Sequence, residues 1–163
     1  MNIRRHLIGF IFLTLIQGLF GGAFATEHLS IEGVYQEGSY LKVYNSNNTQ
    51  ILNAYGVTDF KESSDLVAYK DGSYLNVINA SGKKIVHSYG VSLEDTRLNE
   101  DLVGFKEGSY LKVFNKSGKI ILNGYGVSDY EIKDGLIIYK EGSYLKVITK
   151  EGKSVLNAYG VTE

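Results

Sequence analysis

The tripeptide Gly-Ser-Tyr begins at Gly38, Gly72, Gly108 and Gly142, and seventeen residues after each glycine the chain has Tyr-Gly, at Tyr55, Tyr89, Tyr125 and Tyr159. Both markers advance by 34, 36 and 34 residues. Self-similarity at such a period is the mark of one supersecondary unit copied in tandem, because a single unit buries its apolar surface only against neighbouring copies. The chain is therefore an array, and anything that recurs belongs first to the array's construction.

Residues 1–25 are set apart from this pattern. Arg4 and Arg5 precede an almost wholly apolar run from Leu7 to Phe20, and Ala23-Phe24-Ala25 is a small-x-small cleavage site. This is the plan of a secretory signal peptide. The apolar stretch approaches the length of a membrane span, but Gln17, Gly18, Gly21 and Gly22 weaken that alternative. The sequence thus predicts an exported protein, periplasmic or extracellular, with one domain over 26–163 and repeats of approximately 26–59, 60–93, 94–129 and 130–163. The 138 residues after the leader equal the three steps and one more unit of 34. Gly160-Val161-Thr162-Glu163 runs into Thr26-Glu27 as Gly56-Val57-Thr58-Asp59 runs into Phe60, so a ring joined at its ends is expected.

Within a copy, short β-prone runs alternate with glycine turns. Leu102–Lys106 and Ser109–Phe114 flank Glu107-Gly108, which reads as a hairpin around a two-residue Glu-Gly loop, with Asp71-Gly72 in the same place one copy earlier. Next comes a longer loop carrying Gly82, Gly118 or Gly152 where a left-handed residue closes a bulge. The first copy has Asn48 there, and asparagine is the next best occupant of that conformation. A polar run such as Ser128–Lys133 then leads to the next copy. Helical repeats of this period exist, but runs of five to seven residues alternating with period two, rich in Tyr, Val and Ile, are strands. The absence of proline agrees, and the absence of cysteine leaves packing and sheet hydrogen bonds to stabilise the fold.

Alternation places Leu41 and Val43 on one strand face and Tyr40, Lys42 and Tyr44 on the other, with Leu75/Val77, Leu111/Val113 and Leu145/Val147 repeating the scheme. Both faces carry large side chains, so both are expected to be covered. Sheets of three or four strands set face to face do this, and the fold class expected is all-β: four tandem β-meanders of about 34 residues in a small four-bladed β-propeller. An open β-solenoid or stack of meanders is the alternative. The order of glycine hairpin, aromatic, lysine and turn resembles bacterial short-repeat β-proteins of the propeller kind, a likeness of architecture that implies no functional residue.

The recurring chemistry is sparse. Ser39, Ser73, Ser109 and Ser143 lack a recurring histidine base, since His28 and His87 occur once each, and a hydrolase-type site would have to be built around His87 and Arg97. His87 stands where other copies have Asn53, Asn123 and Asn157, which reads as one polar group replacing another. No His-x-x-x-His, cysteine or calcium-loop pattern is present, and Glu94, Asp95, Glu100 and Asp101 read as a solvated loop rather than a calcium site, so no metal or cofactor is expected. Net charge, −1 for the whole chain, becomes −3 once Arg4 and Arg5 leave, and Arg97 is the one arginine remaining. Such a surface excludes nucleic acid from the expected partners.

Thirteen tyrosines remain, flat apolar rings with a polar tip. Tyr40, Tyr74, Tyr110 and Tyr144, each two residues before Lys42, Asn76, Lys112 or Lys146, form one candidate ligand-binding set. Tyr55, Tyr89, Tyr125 and Tyr159, with Asn53, His87, Asn123 and Asn157, form a second. The competing reading packs these rings between modules. The function expected is a non-catalytic binding module for a glycan or extended peptide, and the alternative is a structural or protein-interaction scaffold of the cell envelope.

Overall fold

The computed structural model describes residues 28–160; the expected leader and residues 161–163 lie outside the described residues. The repeat folds as an antiparallel meander four times. The first sheet is β1 (Ile31–Glu37), β2 (Tyr40–Asn45) and β3 (Gln50–Tyr55), and the second is β4 (Val57–Glu62), β5 (Leu66–Asp71), β6 (Tyr74–Asn79) and β7 (Lys84–Tyr89). The third is β8 (Arg97–Asn99), β9 (Leu102–Glu107), β10 (Tyr110–Asn115) and β11 (Ile120–Tyr125). The fourth is β12 (Val127–Lys133), β13 (Leu136–Glu141), β14 (Tyr144–Thr149) and β15 (Ser154–Tyr159). The all-β class and sheets of three or four strands are as the alternation predicts.

Two local details differ from the sequence reading. The hairpin pairs Glu107 with Tyr110, and Glu37 with Tyr40, so the two loop residues are Gly-Ser rather than Glu-Gly. Gly108 holds the positive φ, +59°, at the first loop position, where the type II′ turn requires glycine. Asp71 and Glu107 are strand residues. The polar linking run also pairs forward: Tyr130 lies opposite Tyr139 and Lys133 opposite Leu136, so sheets begin at Val57 and Val127, a few residues ahead of the expected repeat boundaries.

The longer turn is as expected. Asn48 has φ +54° and Gly82, Gly118 and Gly152 have +81° to +87°, and the register shifts one residue beyond each, between Val43 and Tyr44 and at the equivalent steps. Asn45, Asn79 and Asn115 brace these turns. Each side-chain oxygen accepts two backbone N–H groups of its own turn, while the Asn45 and Asn79 amides donate to Ala80 O and Lys116 O of the following sheet.

Each sheet presents a leading face to its successor and a trailing face to its predecessor. Leu41 and Val43 pack on Val57, Val67, Tyr69 and Ile78; Leu75, Val77 and Val86 pack on Val103 and Phe105; Leu111 and Val113 pack on Ile132, Ile137 and Tyr139. The inner strands β5, β6 and β9 are buried on both faces, as the paired apolar sets demand.

Among the described residues these four sheets do not close into one ring, and the expected join of Gly160–Glu163 to Thr26–Glu27 lies largely outside the described residues. Among the described residues the three core clusters join first to second, second to third and third to fourth sheet, and none joins fourth to first. Leu145 and Val147 are only half-buried, whereas their counterparts in the other sheets are wholly buried. The described array is open because equal repeats specify equal interfaces but not that four of them span a full turn.

Candidate functional site

Antiparallel register joins the two tyrosine sets that the sequence presents separately. Tyr40 lies opposite Tyr55, Tyr74 opposite Tyr89, Tyr110 opposite Tyr125 and Tyr144 opposite Tyr159. One step along, Lys42 faces Asn53, Asn76 faces His87, Lys112 faces Asn123 and Lys146 faces Asn157. Each sheet thus carries one patch of two rings and two polar groups on its trailing face beside the Gly-Ser hairpin. The Tyr-Gly step leads into the next sheet at this same end, where Val57 lies opposite Asp71, so the patches line one rim of the array.

The ring pairs sit 4.9–5.4 Å between centroids, tilted or edge to face. All eight tyrosines are 41–74% exposed, so they are not walled in between sheets. The backbone explains why both rings stay at the edge. The carbonyl of the serine in each Gly-Ser-Tyr accepts the N–H beyond the facing strand, from Val57, Gly90, Gly126 or Gly160, and this pins the strand end against the hairpin.

The lysines are not free cations. Lys42 Nζ donates to Glu37 at 2.7 Å, and Lys112 and Lys146 donate to Glu107 and Glu141 in the same way, an arrangement that holds Lys42 and Lys146 above the ordinary ammonium range. These glutamates were not among the expected site residues, although an acid precedes every hairpin glycine. Behind them stands a second unforeseen layer: Tyr35, Tyr69, Phe105 and Tyr139 lie opposite Lys42, Asn76, Lys112 and Lys146. Lys146 Nζ is 6.0 Å from the ring centroids of both Tyr139 and Tyr144. The second sheet departs from the rest. There Asn76, fully buried, meets His87 Nδ1 at 2.8 Å, and the imidazole stacks on Tyr74 with 4.5 Å between centroids.

Glu107 also accepts the hydroxyl of Ser88 in the preceding sheet, and the Lys112 and Ser88 hydrogen bonds hold its carboxyl below the usual range. A depressed carboxyl contributes stability that is full above its unfolded value and is lost as pH falls through the folded one. Melting temperatures measured from pH 7 to 3 should therefore fall less steeply for Glu107→Gln than for the parent. At this partly solvated site the difference is under about 1 kcal/mol. An unchanged slope would assign no role to the contact.

His87 and Arg97 are held by different partners, since Arg97 donates to Glu94 O at 2.6 Å. The acidic loop is knit by its carbonyls, with Lys61 donating to Glu94 O and Thr96 O at 3.0 Å. Among the described residues no cluster of three His, Asp or Glu side chains is placed to hold a metal ion.

No curated protein matches the chain. Solved structures it is similar to include a Kluyveromyces lactis Hsv2 whose loop 6CD is replaced by a Gly-Ser linker, with TM-score 0.49, 13% identity and 80% of this chain and 48% of that one covered. Another is the N-terminal domain of Nup159, with TM-score 0.47, 9% identity and coverage of 77% and 40%. The chain spans a little under half the length of these structures. The family model described as a 10-bladed beta propeller domain matches residues 34–163, which takes in the first sheet from Val34 onward, the other three sheets and every tyrosine pair of the rim, and the chain belongs to that family.

Proposed function

We propose that the chain is a non-catalytic exported binding module whose rim of four tyrosine patches holds a glycan or an extended peptide. The observation that carries this reading is the exposure of eight tyrosines in four equivalent pairs. Residues that recur to hold an array together are buried by it, and these are not. A tilted pair offers one ring face to an apolar or C–H surface while its hydroxyls reach hydrogen-bonding groups. The lysine, neutralised by its glutamate, and the asparagine beside it supply directed polar contacts rather than a cationic field. That suits a neutral or zwitterionic ligand better than a polyanion.

Four weak sites on one frame gain avidity from multivalency, up to about 10²-fold or more over a single site. Titration of the exported protein with envelope oligosaccharides, and separately with unstructured peptides, should give a stoichiometry near four. The double substitution Tyr110→Ala and Tyr125→Ala should lower that number by one and leave the melting temperature nearly unchanged. Binding with full stoichiometry in that variant, or none to either ligand class, would sink the reading. A scaffold role is the second reading, favoured by the apolar side chains left open at the two ends of the array.

A further inference from the structure

The first and last sheets each expose a face that is a core face elsewhere. On the trailing side of the first sheet, Tyr35 is 57% exposed, whereas Tyr69, Phe105 and Tyr139 are 1–7% exposed in the same position. Tyr35 and Tyr44 meet edge to face at 5.9 Å and border a groove with Glu32, Lys42 and Asn48. On the leading side of the last sheet, Val155 is 60% exposed and Leu156 43%, while their counterparts Ile121 and Leu122 pack against the sheet that follows them. Because each internal interface joins a leading to a trailing face, the two open faces are the two halves of a fourth such interface.

The residues at these two faces also depart from the repeat in compensating directions. At the internal interfaces an isoleucine presses on the glycine of the next turn: Ile51 on Gly82, Ile85 on Gly118 and Ile121 on Gly152. A Cβ built on Gly82 would lie 3.1 Å from Ile51 O and 3.2 Å from Ile51 Cβ, so a side chain there makes the isoleucine give way; the contact is looser at Gly118 and Gly152, at 3.4 and 3.6 Å. The first sheet nevertheless carries Asn48 in the glycine's place, and the last sheet carries Val155 in the isoleucine's place. The one turn with a side chain belongs to the open trailing face, and the one strand shortened by a methyl belongs to the open leading face. Close-packed surfaces respond to changes of this size, and a loss opposite a gain preserves the fit.

We infer that the occupant of these faces is a second copy of this chain, docked head to tail, with Val155 and Leu156 of one copy against Tyr35 and Asn48 of the next, and the contact repeated until a ring closes. The contact is heterologous, so it joins two different surfaces and not a surface to itself. The tyrosine rim stays open in such a ring, because the patches of the second, third and fourth sheets already sit at interfaces of this kind and remain exposed. The inference does not depend on what the rim binds.

Sedimentation velocity of the purified protein at micromolar concentration should give one species at a whole-number multiple of the monomer mass. Val155→Lys, on one face, and Tyr35→Asp, on the other, should each abolish that species and leave the far-UV circular dichroism unchanged. Mixing the two variants should restore a dimer, since each retains the face the other has lost. A monomer at every concentration would overturn the inference, as would masses that grow without limit. Loss of assembly in one variant but not the other would also overturn it, because that is the behaviour of a symmetric pair. A protein that stays monomeric until a different partner is added would assign the faces to that partner.

Discussion

Replacing Phe105 by alanine is expected to destabilise the protein by about 3–5 kcal/mol, the cost of removing a buried aromatic ring and leaving a cavity. Phe105 is almost wholly buried on the trailing face of the third sheet, among Leu75, Val77 and Val103, and stacks with Phe114 at 5.8 Å between centroids and 9° between planes. No other element can collapse into the space, because the facing strand of the second sheet is hydrogen-bonded on both sides. Domains are stable by about 5–15 kcal/mol, so the loss is a large fraction of the whole. Urea unfolding followed by circular dichroism measures it. A change below about 1 kcal/mol would mean that the second and third sheets do not depend on each other for stability.

Gly82→Val is the second large effect, expected at about 2–4 kcal/mol from two causes that can be separated. A β-branched residue at φ +81° carries about 1–3 kcal/mol of backbone strain, and its Cβ must also push against the Ile51 carbonyl and side chain of the preceding sheet. Gly152→Val isolates the first cause. That glycine has φ +84° in the equivalent turn, and its missing Cβ would lie 3.6 Å from the nearest atom, so the excess of Gly82→Val over Gly152→Val measures the tighter sheet contact. Asn48→Gly should change stability by only a few tenths of a kcal/mol in the monomer, since Asn48 already occupies the left-handed region. Equal costs at Gly152 and Gly82 would remove the packing argument on which the head-to-tail contact rests.

Much of this architecture was legible in the chain. Gly-Ser-Tyr marked the hairpins, Asn48 marked the left-handed turn by being its one exception, and the alternation of Leu41/Val43 against Tyr40/Lys42 marked strands covered on both faces. The Gly-Ser loop was misplaced by one residue because a glycine beside an acid fits two turn types, and only the Glu107 to Tyr110 pairing distinguishes them. The binding patch was half legible. Each tyrosine set was visible, but Tyr40 and Tyr55 became one site through a register that skips a residue at the bulge, and Glu37 joined Lys42 by reaching back across the hairpin.

Repetition and alternation were enough to determine the all-β meander, its four copies and the left-handed residue of its longer turn, because these follow from local conformational preference and from periodicity along one strand. The tertiary structure alone decided that the tyrosines face outward in pairs, that each lysine is neutralised and that the array stays open. Cross-strand register and the angle between neighbouring sheets come from side chains meeting at long range, and a repeated sequence encodes that the meetings are alike without encoding how many complete a circle.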